Sequence, residues 1–195
     1  GSDIAYWTTQ LADLPTRATL PADTLLSTRR TGAAPALTTS VALDASAART
    51  LVDFASAQRT TPFVGVYAAL SVAIARVTGS SDVLIAAPQA GRGPGETDTV
   101  GMFANPVALR ASLDPGATVA ELIAASHARV QEALEHGAVP FGEIANVVDP
   151  GRDPTEFPLA DVVLAYRENT AIPELIDAHI DVAPAVDALV PIRVI

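Results

Sequence analysis

The sequence predicts an α/β fold, a layered mixed sheet covered by helices, on three observations. Asp82 to Pro88 holds a short unbroken apolar run, Val83-Leu84-Ile85-Ala86-Ala87, of the kind that fills a central strand covered on both faces. It directly follows Pro62 to Val77, where apolar residues recur at helical spacing. Thr118-Val119-Ala120-Glu121 then forms a capping box: the Thr hydroxyl accepts an early helical N–H, and the Glu reaches back to the cap's own N–H. Strands alternating with helices that can cross between them give layers rather than a bundle or a sandwich.

The elements follow in order. Ile4 to Leu14 reads as an amphipathic helix with Tyr6, Trp7, Leu11 and Leu14 on one face. Pro15 and Pro21 open a polar linker that reaches Pro35, and Leu37 to Leu43 alternates as a strand does. Asp44 is a good N-cap for a helix from about Ala45 to Gln58, with Ala48, Leu51, Val52 and Ala55 on its apolar side. Thr61-Pro62 starts the next helix, since proline's missing N–H would have had no partner there, and Gly79 stops it. Its stripe is Phe63, Val66, Tyr67, Leu70, Ile74 and Val77, but so little polar face remains that the helix must be buried on most sides. Ala104 to Leu113 reads as a strand. The capped helix carries Val119, Leu122, Ile123, Ser126, Val130 and Leu134 inward and ends near His136-Gly137. Pro140 to Val147 is a short helix, Asp149-Pro150-Gly151 a turn and Leu159 to Tyr166 a strand. Ile176 to Val182 and Leu189 to Ile195 are further strand candidates.

Composition narrows the function. The 195 residues suffice for one domain or a large lobe, and 49% hydrophobic content supports a packed core. With no cysteine there is neither a disulfide framework nor a thiolate zinc site, and a reducing, cytoplasmic setting is the expectation. The net charge is −10 and all twelve basic residues are Arg. Such a chain repels phosphate backbones, so no nucleic-acid partner is expected. Without lysine there is no Walker A loop and no Schiff-base chemistry. Gly91, Gly93 and Gly95 are neither a phosphate cradle nor a dinucleotide fingerprint. The longest apolar run, Phe63 to Ala75, is too short to span a bilayer, so no membrane association is expected. His127, His136 and His179 stand too far apart for a helical or hairpin metal pair, and no metal site is expected. No Gly-x-Ser-x-Gly elbow occurs to anchor a serine triad.

The stretch most suited to function is Pro88 to Arg110, PQAGRGPGETDTVGMFANPVALR. It leaves a strand, crosses a glycine-rich polar segment whose backbone is loose, and returns through a Met102-Phe103 pair that reads as buried. Arg92 and Arg110 each either orient an anionic group through a bidentate fork or pair with a neighbouring acid. Asn105 either orients a carbonyl or an amine with its amide or closes the turn into the strand. His127 reads as a solvated face residue. His136 reads as a residue that bonds the last carbonyls of its helix. Glu96 with Asp98, and Asp149 with Asp153, fall in turns.

This stretch resembles the condensation domains of nonribosomal peptide synthetases, in which a strand ending P-x-x-G-R leads to a block (I/V)-G-x-F-x-N-T and then Arg. The block here is Val100-Gly101-Met102-Phe103-Ala104-Asn105-Pro106, followed by Arg110. His136-Gly137-Ala138-Val139-Pro140-Phe141-Gly142 resembles H-Q-x-V-P-F-E, and Arg152-Asp153-Pro154-Thr155-Glu156-Phe157-Pro158-Leu159 resembles R-D-x-S-x-x-P-L. Tyr6-Trp7 with Leu11 resembles the Y-W-x-x-x-L that opens the family's second half. The departures are Pro106 for Thr, Gly137-Ala138 for Gln-Asp, and Gly142 for Glu. Nothing in the chain matches the family's catalytic H-H-x-x-x-D-G.

The resemblance implies one chloramphenicol-acetyltransferase-like lobe over residues 1–195, the C-terminal one, and a family lobe that continues past Ile195; Gly1-Ser2 by itself reads as a cloning scar. The resemblance also implies amide bond formation between thioesters carried on phosphopantetheine arms, with no cofactor bound directly. The implied partners are the N-terminal lobe and the upstream and downstream peptidyl carrier proteins. By residue match a floor loop toward the other lobe falls within Gly91 to Asn105, and a latch after Arg152. Gly91, Arg92, Gly101, Phe103, Asn105 and Arg110 are the tunnel or floor-loop candidates. Tyr6, Trp7, His136, Pro140, Phe141, Arg152, Asp153 and Pro158 are motif residues with structural roles, and no catalytic residue is expected in this chain. A second expectation is a non-catalytic condensation-like module that recruits a carrier protein or a tailoring enzyme.

Overall fold

The computed structural model describes residues 1–14, 43–93, 95–96, 98–151 and 159–166. Their elements, in order, are α1 (Ser2–Gln10), α2 (Ala45–Ala57), α3 (Pro62–Thr78), β1 (Asp82–Gln89), β2 (Asn105–Ser112), α4 (Val119–Glu135), α5 (Phe141–Val148) and β3 (Val162–Val163). The strands expected at 37–43, 176–182 and 189–195 lie outside the described residues, save Leu43. So do Arg152, Asp153 and Pro158.

The sheet is mixed, in the order β2-β1-β3. β1 lies in the middle, as its continuous apolar run requires, with Val83, Ile85, Ala86 and Ala87 buried. It pairs antiparallel with β2 from Asp82 opposite Ser112 to Gln89 opposite Asn105. Pro88 faces Pro106 in that ladder. Two residues without an N–H can face each other only where the antiparallel pattern needs no bond between them. β3 runs parallel to β1, but the strand expected over Leu159 to Tyr166 is reduced to two residues, with Leu164 N–H donating to Ala86 O at 2.8 Å.

Helix α3 begins with Pro62 at its first position and ends at Gly79, whose φ of 74° a side chain would strain. Its buried face is Val64, Tyr67, Ala68, Ser71 and Ile74, whereas Val77, expected inside, is exposed. A helix apolar all round leaves its inward face undecided by periodicity, and packing chose a stripe displaced from the expected one. α2 rests on α3 where Gly65 leaves room: a Cβ there would stand 2.8 Å from Leu51 Cδ1. Ala55 is buried and Phe54 packs on the core, while Ala48 and Val52 are exposed, contrary to expectation. In α4 the inward residues are Ile123, Ser126, Val130 and Ala133. Val119 and Leu134, near the two ends, are exposed rather than buried. α1 starts two residues earlier and ends four residues earlier than expected, yet Trp7 and Leu11 are buried, with Tyr6 and Leu14 against the core. No single described helix is long and apolar enough to cross a membrane.

Two helix starts rest on carboxylates. Asp44 Oδ1 accepts from the Ser46 hydroxyl and from the amides of Ser46 and Ala47, and Glu121 completes the capping box with Thr118. These bonds hold both acids below their ordinary range, through the Ser46 hydroxyl first for Asp44 and the Thr118 amide first for Glu121. A depressed folded pKa means that the unfolded chain takes up the proton first. The stabilisation is therefore complete above the ordinary carboxylate range near pH ~4 and disappears as pH falls through the folded values. Asn caps as well as Asp and does not titrate. Asp44→Asn should thus leave the neutral-pH urea midpoint almost unchanged and flatten its decline below about pH 4. A decline as steep as that of the parent chain would contradict the cap's role.

Candidate functional site

The chain's motif residues converge on the connection between α4 and α5. A helix C-terminus leaves carbonyls without partners, and where a connection is partly buried, as at Gly137, protein donors complete them. Here they come from side chains distant in sequence. Trp7 Nε1 donates to His136 O at 2.9 Å. Gln89 Nε2 and Asn105 Nδ2 both donate to Gly137 O, at 2.6 and 2.9 Å, and Asn105 Nδ2 also donates to Val139 O at 2.8 Å. Asn105 Oδ1 accepts from Phe141 N at 3.0 Å, in the first turn of α5. The Asn105 amide is thus engaged on both its nitrogen and its oxygen by backbone groups on either side of Pro140. Phe141 itself is buried.

His136 caps α4, but its ring does not turn to the helix carbonyls as expected. Nδ1 lies 2.8 Å from Asp3 Oδ1, and the ring stacks on Tyr6 with centroids 3.9 Å apart. Tyr6 in turn meets Trp7 edge-on. Burial raises the Tyr6 phenol above its ordinary value, the Glu132 carboxylate adds to this, and Arg129 opposes it. His127, expected in solvent, is half-buried and bonds Thr60 Oγ1 at 2.7 Å, tying α4 to the α2–α3 turn.

Arg110 takes the ion-pair alternative. Its Nε and Nη2 meet the Asp82 carboxylate, at 2.9 Å to Oδ1 and 2.6 Å to Oδ2. Nη1 donates to Gln10 O and Ala12 O, and Nη2 to Asp13 O. One guanidinium therefore closes the end of α1 and braces the sheet. Asp82 bonding raises its pKa further, so it is charged throughout the working range.

The β1–β2 loop is closed on itself. Arg92 Nη1 donates to Glu96 O and Thr99 O at 2.7 and 2.8 Å, and the guanidinium lies 4.4 Å from the Phe103 ring centroid. Glu96 Oε2 accepts from Gly93 N. Gly91, at φ 63°, passes so close to Phe103 that a Cβ would stand 2.0 Å from its carbonyl oxygen. At Gly101 a Cβ would stand 3.2 Å from the Phe103 ring. Glycine is needed at 91 for both reasons, φ and space. Met102, expected inside with Phe103, is 93% exposed, and Val100 beside it is wholly exposed. The loop therefore presents an apolar tip on an internally bonded base.

Of the candidates, Asn105, Trp7, His136, Pro140 and Phe141 meet at the α4–α5 connection. Gly91, Arg92, Gly101 and Phe103 form the loop, and Arg110 braces the far end of the same strands. Gln89 was missed by sequence reasoning. Pairing the two eight-residue strands antiparallel places it opposite Asn105, and that register was the available signal.

The family profile for the condensation domain matches residues 2–184. The chain is a member of the condensation-domain family. It is 33% identical over 171 residues to the isonitrile lipopeptide synthase of Mycobacterium tuberculosis, covering 86% of this chain and 7% of that protein. It is similar in fold to the holo four-domain nonribosomal peptide synthetase AB3403, with TM-score 0.72 and 20% identity, over 85% of this chain and 12% of that one. The condensation domain of the monacolin K polyketide synthase MokA matches with TM-score 0.65 and 26% identity, over 83% of this chain and 40% of that one. The chain thus spans a small fraction of the synthetases it matches. Within this condensation-domain sequence, three of the four motif blocks lie in described residues, and all three touch the α4–α5 connection.

Asn105→Ala removes the donors to Gly137 O and Val139 O and the acceptor for Phe141 N, and only Gly137 O keeps a second side-chain donor, Gln89. The substitution should lower stability by about 1–3 kcal/mol, the cost of leaving such groups unpaired. Asn105→Asp should be at least as damaging, since it sets a carboxylate oxygen against two carbonyls. Urea unfolding of both variants tests this, and an Asn105→Asp midpoint equal to that of the parent chain would refute the arrangement.

Proposed function

We propose that this chain is the C-terminal lobe of a nonribosomal peptide synthetase condensation domain, one half of an amide-forming acyl transferase. The observation that carries the reading is the meeting of the Tyr6-Trp7, Gly101–Asn105 and His136–Phe141 blocks at one connection, joined by side-chain bonds to backbone. Three scattered resemblances then become one built unit from which a loop projects. The chain matches 40% of a solved condensation domain in the family, which leaves room for a partner lobe in the reading.

In this reading the partner lobe brings the H-H-x-x-x-D-G block, and carrier proteins deliver donor and acceptor thioesters on phosphopantetheine arms. This chain's part is positional. Bringing two tethered reactants together makes the step effectively unimolecular, and that is where most of the acceleration lies. The loop from Gly91 to Phe103, closed on Arg92, offers Val100 and Met102 to the other lobe as an apolar contact.

The alternative, a non-catalytic recruitment module, draws some support from the departures at 106, 137, 138 and 142. Two of these have local compensation. Pro106 faces Pro88, and Gly137 receives the Gln89 amide in the space a side chain would fill. A structural reason for those departures removes their weight as signs of decay.

The purified chain alone should form no amide from carrier-loaded donor and acceptor, and adding an N-terminal lobe with the histidine block should restore product. Amide above the no-protein control from this chain by itself would overturn the division of labour.

A further inference from the structure

We propose that Gln89 is a positioning residue for condensation, acting with Asn105 to set both stems of the β1–β2 loop on the Gly137 carbonyl. The inference rests on the reading of the chain as a condensation lobe. Gln89 and Asn105 are the last facing pair of the ladder, so everything between them belongs to the loop. Their amides reach the same oxygen, at 2.6 and 2.9 Å. A carbonyl has two lone pairs, so two donors complete its bonding. Both stems are thereby referred to one point on another element.

The site is shaped for this arrangement. Gly137 is buried, and a Cβ there would stand 2.2 Å from Gln89 Nε2 and 2.7 Å from its Oε1. Any side chain at 137 displaces the Gln89 amide. Beyond the clamp the loop is tied internally by Arg92 and by the Gly91–Phe103 contact. An internally tied loop on two fixed stems transmits the setting of its root to its tip. A small tilt at 89 and 105 therefore displaces Val100 and Met102 by more than the tilt itself. A reaction governed by proximity is sensitive to misplacement on the scale of an ångström. Gln89 touches no reacting atom in this scheme. Its effect passes through the loop.

The test uses the full synthetase for rate and this chain for exchange and stability. Gln89→Ala should slow single-turnover amide formation about threefold to tenfold, as expected for one lost hydrogen bond expressed in the rate. The half-saturating concentration of loaded acceptor carrier should not change. Gln89→Glu, which keeps the shape but has no N–H to donate, should give no rescue. Gly137→Ala should reproduce the defect, and the double variant Gln89→Ala/Gly137→Ala should be no slower than the worse single one. In this chain, Gln89→Ala should speed exchange of the Glu96 and Thr99 amides, whose acceptors lie within the loop, while shifting the urea midpoint little. An unchanged rate per folded molecule in Gln89→Ala, full activity in Gln89→Glu, or multiplied defects in the double variant would overturn the proposal. If the unaltered synthetase forms no amide bond, the functional reading fails instead, and the exchange arm still decides the clamp: unchanged exchange in Gln89→Ala refutes it.

Discussion

The constraint on which the rest of the structure depends is the demand for hydrogen-bond donors made by the carbonyls after α4. His136 O, Gly137 O and Val139 O lie in the partly buried turn between α4 and α5, and each takes a side-chain donor from elsewhere in the chain. The chain answers with an indole from α1 and two carboxamides from the ends of β1 and β2. Each bond is worth only about 0.5–1.5 kcal/mol net, but each carbonyl left bare inside costs about 1–3. That asymmetry makes the arrangement cooperative. Helix α1, the sheet and α5 are all positioned through the same short connection.

The opposite end of the strands is held electrostatically. An acidic chain without lysine uses Arg110 there, and the choice follows from geometry. The planar fork reaches one carboxylate and three backbone carbonyls in a way that an ammonium on a flexible stem cannot. Asp82 lies diagonally across the ladder from Arg110, two residues from direct opposition, within reach of a long side chain. The β1–β2 hairpin is thus fixed by amide bonds beside its loop and by an ion pair at its open end.

What was legible in the sequence was local chemistry. Asp44 and the Thr118–Glu121 box named their helix starts because a cap acts within three residues, and the Val83–Ala87 run named the central strand because it is short, apolar throughout and bounded by Asp82 and Pro88. Contacts across the chain were not legible in that way. Arg110 and Asn105 each stood with two readings. Arg110 took the ion pair, whereas Asn105 neither closes its own turn nor stays free of the backbone: it bonds another element, and the partners of both lie 28 to 100 residues away. Met102 was misplaced because a Met-Phe pair looks apolar from either side, and only the Gly91–Phe103 contact decides which of the two turns inward. The motif blocks carried the family, but not the fact that they touch one another. Val77 and Val52 show the same limit from another direction: in helices with apolar residues on several sides, packing partners choose the face.

The docking of α1 also bears on the order in which the fold can be completed. Trp7 finds its acceptor 129 residues later in the chain, and Asp3 its imidazole 133 residues later. At about 5–20 residues per second, a ribosome takes on the order of ten seconds to supply those partners. Helix α1 thus cannot be seated until α4 and the residues after it have been made, and until then Trp7 and Leu11 stay an uncovered apolar stripe.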